Sequence, residues 1–231
     1  MELTAAALWL NTTFSGFDGL FLRLWHSAAE HLGVVLTPLM KLITLLGEKG
    51  LLMFLLAFVF MCFANTRRSG VCIFGAVCCG ALITNIILKD AVARPRPFET
   101  VELYRSFWLA VGSPVEDGFS FPSGHVTALS AGMLALSLTK GKKYLIPSGV
   151  AVLFMCISRN YLMAHYPSDV LVAAMVGTVS AFASYGVTCL IYRFLDAYED
   201  YPLVEFILYE NLSVPSAASL RKAGYKGKHE K

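Results

Sequence analysis

Long apolar stretches dominate the chain, and its charged residues collect where those stretches end. The clearest stretches cover residues 50–65, 70–91, 122–139, 143–164 and 166–195. Several of them approach or exceed the ~20 apolar residues that a helix needs to cross a bilayer. The pattern predicts an all-α fold with five transmembrane helices in this part of the chain.

The N-terminal region, residues 3–47, has a weaker pattern. Residues 3–28 place apolar side chains on one stripe, with Asp18 and other charged residues between them, which predicts an amphipathic helix on the membrane interface or a marginal span. Residues 32–46 form a short apolar stretch that contains Lys41, and we interpret it as a further crossing. The prediction is therefore a polytopic bundle of about six transmembrane helices.

The composition supports membrane insertion. Hydrophobic residues make up 56% of the chain and charged residues 15%, with a mean hydropathy of +0.61. A soluble domain has about 25% charged residues, so an ordinary soluble fold is excluded. The six cysteines all lie inside apolar stretches without metal-ligand or disulfide spacing, and we interpret them as packing residues.

Basic residues predict the orientation of the bundle. They cluster in two short connections and in the tail, at Arg67, Arg68, Lys140, Lys142, Lys143, Arg221, Lys222, Lys226, Lys228 and Lys231. In a six-span protein these positions share one face, which the positive-inside rule makes cytoplasmic. We therefore expect a multi-pass protein of the cell (cytoplasmic) membrane, both termini in the cytoplasm, and a polar basic cytoplasmic tail over residues 196–231.

Three charged motifs lie on the opposite face, where unpaired charge near lipid is costly and indicates function. The first, KDAVARPRP, presents Lys89 and Arg96, and Pro95 and Pro97 favour an extended backbone around the arginine. An arginine can bind a phosphate through two parallel N–H donors, while a lysine acts as a point charge. The alternative is a pair of residues that snorkel at a helix end.

The second motif, Pro122 to His125, is typical of a helix start. Free backbone N–H groups at such a start point at any anion bound in front of them. Gly124 allows the backbone to approach closely, Ser123 adds a hydroxyl donor, and His125 can give a proton to a leaving oxygen. Taken alone, the tetrapeptide is better interpreted as a plain helix start.

The third motif combines Arg159, His165 and Asp169. Spacing of i, i+4 would put His165 and Asp169 on one helix face. The carboxylate could then accept a hydrogen bond from one imidazole nitrogen and leave the other as a nucleophile. A structural histidine–aspartate pair is the alternative. The three motifs together supply a nucleophile, an orienting group, an acid and cations, which is the set that phosphoryl transfer requires.

These motifs resemble those of the type 2 phosphatidic acid phosphatase (PAP2) superfamily, which also includes vanadium haloperoxidases. K-x6-RP, PSGH and SR-x5-H-x3-D match at every defining position across residues 85–175. The resemblance implies a PAP2/haloperoxidase-like core and a transmembrane phosphatase domain over residues 1–195. It assigns phosphate binding to Lys89, Arg96, Ser123, Gly124 and Arg159, and catalysis to His165 as nucleophile, Asp169 as its orienting residue and His125 as acid and base. It implies no metal and no other cofactor.

The substrate stays open at this level. We expect a lipid phosphate or diphosphate, with undecaprenyl diphosphate as first choice and phosphatidylglycerol phosphate or phosphatidate next, and no nucleic-acid partner. A lipid phosphotransferase and, more distantly, a membrane transporter are the alternatives. Bacterial members often have YLGVHYPTD where this chain has YLMAHYPSD, so Met163 and Ala164 are expected to narrow the pocket. The connection 95–121 is either a cover beside the site or a passive link.

Overall fold

Helices form all the regular structure in the part of the chain that is described. A computed structural model describes residues 3–212, apart from the side chain of Lys49. The helices are α1 (Ala5–Thr13), α2 (Ser15–Leu46), α3 (Leu51–Cys62), α4 (Ala64–Ala81), α5 (Lys89–Val92), α6 (Pro97–Thr100), α7 (Glu102–Ala110), α8 (Gly124–Lys140), α9 (Leu145–Tyr161), α10 (Pro167–Asp196) and α11 (Pro202–Tyr209). A π-helix, Leu82–Leu88, joins α4 to α5, and short 3-10 turns precede α3 and α9. The all-α prediction is confirmed.

The membrane prediction is confirmed by the lengths of these helices. Ser15–Leu46, the helix that begins at Ala64, and Pro167–Asp196 are long and apolar enough to cross a membrane, and Leu51–Cys62 is a shorter apolar helix. The 17 residues of α8 and of α9 each extend about 25 Å. The chain is a multi-pass membrane protein.

The core of the bundle lies where α4, α8 and α10 pack together. Its buried residues are small or medium in size, among them Ala76, Val126, Ala131 and Ala173. Gly177 on α10 lets the backbone of α8 approach: a Cβ built there would lie 2.7 Å from the carbonyl oxygen of Thr127. Close packing of this kind fixes how far each helix end projects.

Alternating helix directions collect the motif residues at one end of the bundle, which we call the site end. Lys89 follows α4 and its π-helical continuation, and Gly124 begins α8. Arg159 lies in the last turn of α9, and Asp169 in the first turn of α10. The expected convergence of the three motifs is therefore present.

The N-terminal region differs from the prediction. Residues 15–46 form one helix, α2, with Pro38 inside it, and not an interfacial segment followed by a separate crossing. The first turn of α2 contacts the site end, because Asp18 bonds to Arg94 and Ser168. Its other end also lies there, since a Cβ on Gly47 would be 3.7 Å from the His125 ring.

Both ends of α2 thus lie at the site end in the described residues, whereas α3, α4, α8, α9 and α10 run between the two ends of the bundle. Thr4 also bonds to Val92, so the start of the described chain is on the same side as the motifs. The sixth crossing and the cytoplasmic N-terminus stay predictions, and these contacts argue against both.

The opposite end holds the basic connections. Arg67, the third residue after α4 begins, donates to the carbonyls of Phe206, Ile207 and Glu210, which lie in the last turn of α11 and just after it. The Lys140 ammonium donates to the Asn65 carbonyl at 2.9 Å. The predicted tail begins in α10 and continues through α11, and its remaining residues, 213–231, lie outside the described residues.

Candidate active site

A single cavity of about 430 Å³ brings the chemistry-bearing residues together. Lys89, Arg96, Gly124, His125 and His165 all line it. Its other wall is apolar and comes from α3, α4 and α8, through Phe54, Val77, Ala81 and Ala128. Three acidic residues, Glu48, Glu116 and Asp117, also line it, whereas Ser123, Arg159 and Asp169 do not. The cavity therefore has a wall of charged and imidazole side chains beside a surface that suits a hydrocarbon chain.

His165 lies in the connection between α9 and α10 and is only 2% exposed. Its Nδ1 atom is 2.6 Å from the Ser120 carbonyl oxygen. Because a carbonyl can only accept, Nδ1 carries the proton and Nε2 keeps a lone pair. Burial, followed by the positive charges of Arg96 and Arg159, lowers the pKa of His165 well below its usual value. The ring is therefore held neutral, as a nucleophile must be.

The expected direct bond between His165 and Asp169 is not present. Nδ1 of His165 is 4.0 Å from Oδ2 of Asp169, which is beyond hydrogen-bond distance. The helical i, i+4 argument does not apply, because α10 begins at Pro167 and the histidine precedes it. Instead the Ser120 hydroxyl donates to Asp169 at 2.5 Å, so one residue contacts both members of the pair.

Asp169 is held from a second side by Arg94, which sequence reasoning did not select. The guanidinium donates to Asp169 at 2.5 Å and to Asp18 at 2.8 Å, and all three side chains are buried. It also lies over the Tyr166 ring, 3.8 Å from the centroid. Arg94 therefore connects the N-terminal helix α2 to the first turn of α10.

Arg96 is largely engaged by backbone. Its Nε, Nη1 and Nη2 atoms donate to the carbonyls of Gly118, Ala164 and Asp117 at 2.9, 2.9 and 2.7 Å. Nη1 is also 3.3 Å from a carboxylate oxygen of Glu116. Arg96 thus joins the connection before α8 to the connection before α10. Part of its guanidinium group still faces the cavity, which the residue lines.

Arg159 is fully buried in the last turn of α9. Its Nη2 donates to Glu116, and its Nη1 is 3.4 Å from the Thr44 hydroxyl. Among the described residues its Nε has no hydrogen-bond partner. Arg159 itself does not line the cavity, but Glu116, to which it is bonded, does. A buried donor without a partner is costly, so the Nε atom calls for an explanation.

The start of α8 supplies the remaining predicted groups. Ser123 is the N-cap residue, and its buried hydroxyl has no partner within residues 3–212. Gly124 follows, and a Cβ there would lie 3.4 Å from the Asn85 amide oxygen. Asn85 belongs to the π-helix and also lines the cavity. The first free N–H groups of α8 therefore face the same space as His125.

Met163 does not narrow the cavity as expected. Its side chain is buried in a cluster with Leu22, Phe107 and Tyr166 and is not part of the cavity wall. Its φ of +57° is in the left-handed region that favours glycine, which matches the glycine of the related sequences.

Four further residues shape the site without having been selected from sequence: Asp18, Arg94, Glu116 and Ser120. A signal existed for three of them, because Asp18 interrupts an apolar stripe, Arg94 lies within RPRP, and Glu116 belongs to an acidic pair in the long connection 95–121. Ser120 carries no signal of this kind, since a serine in a connection is ordinary.

The helical fold and the sequence family of the chain define its class, the helical membrane phosphatases. The PAP2 superfamily pattern matches residues 69–192, more than half of the chain, and the chain belongs to that superfamily.

Individual relatives are similar over shorter stretches. An undecaprenyl-diphosphatase from Sulfolobus acidocaldarius is 29% identical over 122 residues, which cover 53% of this chain and 56% of that protein. Phosphatidylglycerophosphatase B from Haemophilus influenzae is 39% identical over 88 residues, 34% of this chain and 36% of that protein. The chain thus spans about half or less of the length of these curated relatives.

A solved structure supports the fold. The crystal structure of a transmembrane PAP2-type phosphatidylglycerolphosphate phosphatase from Bacillus subtilis aligns with 80% of this chain and 99% of its own, with a TM-score of 0.54 and 21% identity. At this identity the likeness concerns the fold alone.

Proposed function

We propose that the protein removes phosphate from a membrane lipid phosphate or diphosphate through a phosphohistidine intermediate. The observation that carries the proposal is the single cavity that contains both histidines, Lys89 and Arg96 beside an apolar wall. Superfamily membership supports the reaction type.

Catalysis begins with attack of the His165 Nε2 lone pair on phosphorus. An N–P bond forms as the bond from phosphorus to the leaving oxygen breaks, and His125 gives that oxygen a proton. A water molecule then attacks phosphorus, His125 takes a proton from the water, and the N–P bond breaks to release inorganic phosphate. Lys89, Arg96 and Arg159, with Ser123 and the Gly124 amide, stabilise the negative charge on the phosphoryl oxygens.

The lipid character of the substrate follows from the cavity wall. Apolar residues of α3, α4 and α8 face the same space as the cations, so a phosphate at the site has hydrocarbon-compatible surface next to it. Undecaprenyl diphosphate is the first choice, because the Sulfolobus relative is named as an undecaprenyl-diphosphatase. Phosphatidylglycerol phosphate is the second candidate, because the Haemophilus and Bacillus proteins are named for it.

The site is proposed to open on the outer face of the cell membrane. The opposite end of the bundle carries Arg67, Arg68, Lys140, Lys142 and Lys143, and short basic connections favour the cytoplasmic side.

The test is phosphate release by purified protein in detergent. The panel comprises undecaprenyl diphosphate, phosphatidylglycerol phosphate, phosphatidate and a soluble sugar phosphate. His165→Ala is expected to abolish release from every active substrate, because it removes the nucleophile. The matched control is His31→Ala, since His31 is an exposed histidine on α2 outside the cavity.

Two results would contradict the proposal. Full turnover by folded His165→Ala would remove the phosphohistidine mechanism. If wild-type activity is lost in excess chelator and restored by Mg²⁺, a metal ion stabilises the charge on the phosphate, and not the three cationic side chains.

A further inference from the structure

A carboxylate of the cavity wall lies between two buried arginines. Glu116 is bonded to Nη2 of Arg159 through one oxygen, and its other oxygen is 3.3 Å from Nη1 of Arg96. Its side chain is only 12% exposed, and the residue lines the cavity. This is a two-oxygen bridge of the kind that a phosphoryl group would itself make with a pair of guanidinium groups.

The guanidinium groups of both arginines are already partly engaged. Three of the five N–H groups of Arg96 donate to backbone carbonyls, and its Nη1 also forms the ion pair with Glu116 at 3.3 Å. Arg159 has one nitrogen on Glu116, one at 3.4 Å from Thr44, and Nε without a partner in the described chain. A phosphoryl group that bridges the two arginines as Glu116 does would take the positions that the Glu116 oxygens hold.

We propose that Glu116 sets the affinity of the phosphate site by competing with the phosphoryl group for Arg96 and Arg159. This inference rests on the proposed function and adds a step to it: the Glu116 side chain swings away when the substrate binds. It cannot stay, because a carboxylate beside a phosphate dianion in a buried site repels it.

The swing requires only side-chain rotation. The backbone on the C-terminal side of Glu116 is held by the bonds of Arg96 to Asp117 and Gly118. Val115, the residue before it, is 90% exposed, so space exists beside the connection. The connection 95–121 is then more than a passive link, because one of its side chains occupies the site.

Competition of this kind lowers the affinity for every phosphate ligand by the same factor. Substrate, inorganic phosphate and the phosphodiester headgroups of bulk lipids all have to displace the same carboxylate. Their relative affinities are unchanged, while their absolute affinities fall. The consequence is a site that abundant lipid headgroups do not saturate and that releases inorganic phosphate readily.

The test compares wild type with Glu116→Gln in the phosphate-release assay, with inorganic phosphate and orthovanadate as competitive inhibitors. We expect the inhibition constants of both to fall about tenfold, which corresponds to ~1.4 kcal/mol, with their ratio unchanged. KM should fall in parallel, and kcat should not rise. Glu102→Gln is the matched control, an exposed glutamate on the same connection, and should leave all these constants unchanged.

A second readout does not depend on turnover. Thermal unfolding of the purified variants is followed with and without inorganic phosphate. Phosphate should raise the melting temperature of Glu116→Gln more than that of wild type, because the variant binds it more tightly. If Glu116→Gln does not fold, Glu116→Asp, whose shorter side chain cannot bridge both arginines, is expected to show the same shifts in smaller size.

The outcomes separate the two hypotheses. Inhibition constants that stay the same or rise in a folded variant overturn the competition, while wild-type turnover through His165 leaves the proposed function standing. If wild type neither turns over lipid phosphates nor responds to phosphate or vanadate, both hypotheses are wrong.

Discussion

Ser120 connects the two residues that triad logic would have joined directly. Its carbonyl accepts from His165, its hydroxyl donates to Asp169, and its amide donates to the Arg94 carbonyl at 2.7 Å. The carbonyl fixes the tautomer of His165, the proposed nucleophile, and the hydroxyl links the same residue to Asp169. We therefore propose that Asp169 positions His165 through Ser120.

Ser120→Ala is expected to lower kcat about tenfold with little change in KM. The alanine keeps the carbonyl that bonds His165 but loses the bond to Asp169, so the ring is still neutral and less firmly placed. Steady-state kinetics measure the effect. Ser106→Ala is the control, because that exposed hydroxyl bonds only the nearby Leu103 carbonyl.

Combining Ser120→Ala with Asp169→Asn distinguishes positioning from general damage. If Asp169 acts on His165 through Ser120, the two substitutions break the same connection, and the double variant loses less than the product of the single losses. If the losses of kcat in the two single variants multiply in the double variant, Asp169 does not act on His165 through Ser120. An unchanged kcat in Ser120→Ala would contradict the connection as well.

Sequence motifs predicted the cavity residues well and their partners poorly. Lys89, Arg96, His125 and His165 meet as expected because each ends or begins an apolar stretch, and helix ends meet in an antiparallel bundle. The bond between Ser120 and His165 joins residues 45 positions apart. No local spacing encodes a contact of that range, which depends on how two connections pack.

At the scale of elements, α2 shows how packing overrides pattern. The charged residues in 3–28 suggested a segment separate from the apolar stretch 32–46, yet one helix covers both. Contacts with α9 support its second half: Thr37 bonds Tyr161 at 2.7 Å, and Ser158 donates to the Met40 carbonyl at 2.6 Å. Buried Asp18 is equally informative, because its partner Arg94 lies 76 positions away.

The close contact of α8 with α10 can be tested by adding one methyl group to α10. Gly177→Ala would place a Cβ 2.7 Å from the Thr127 carbonyl and 2.9 Å from the Ala131 nitrogen. Both are backbone atoms that cannot rotate away, so the helices must separate. We expect a loss of about 1–3 kcal/mol in stability, measured as a lower melting temperature in detergent.

Gly186→Ala is the matched control for that substitution. It lies on the same helix, and nothing is within 4 Å of a Cβ built there. Its melting temperature should stay the same or rise slightly, because alanine favours a helix more than glycine does. If the melting temperature falls equally in both variants, the close approach of α8 to α10 is not the cause of the loss of stability.

On the scale of the whole molecule, the contacts of the N-terminal region argue for another parity than the predicted one. Thr4, Asp18 and Gly47 all contact the site end, whereas Arg67 and α11 lie at the other end. We therefore propose five crossings, which would put the start of the described chain and α11 on opposite sides of the membrane. Hydropathy could not give this result, because an apolar helix that lies across a bundle and one that crosses it have the same composition.

Labelling of single introduced cysteines tests both the parity and the orientation. Thr13→Cys and Val115→Cys lie at the site end, and Lys142→Cys lies at the other end, all at exposed positions. In intact cells, a membrane-impermeant maleimide should label the first two, and Lys142→Cys only after permeabilisation, if the basic end is cytoplasmic. Unsubstituted protein measures the reaction of the six native cysteines. Labelling of Val115→Cys without Thr13→Cys would restore six crossings, and labelling of Lys142→Cys alone would turn the site towards the cytoplasm.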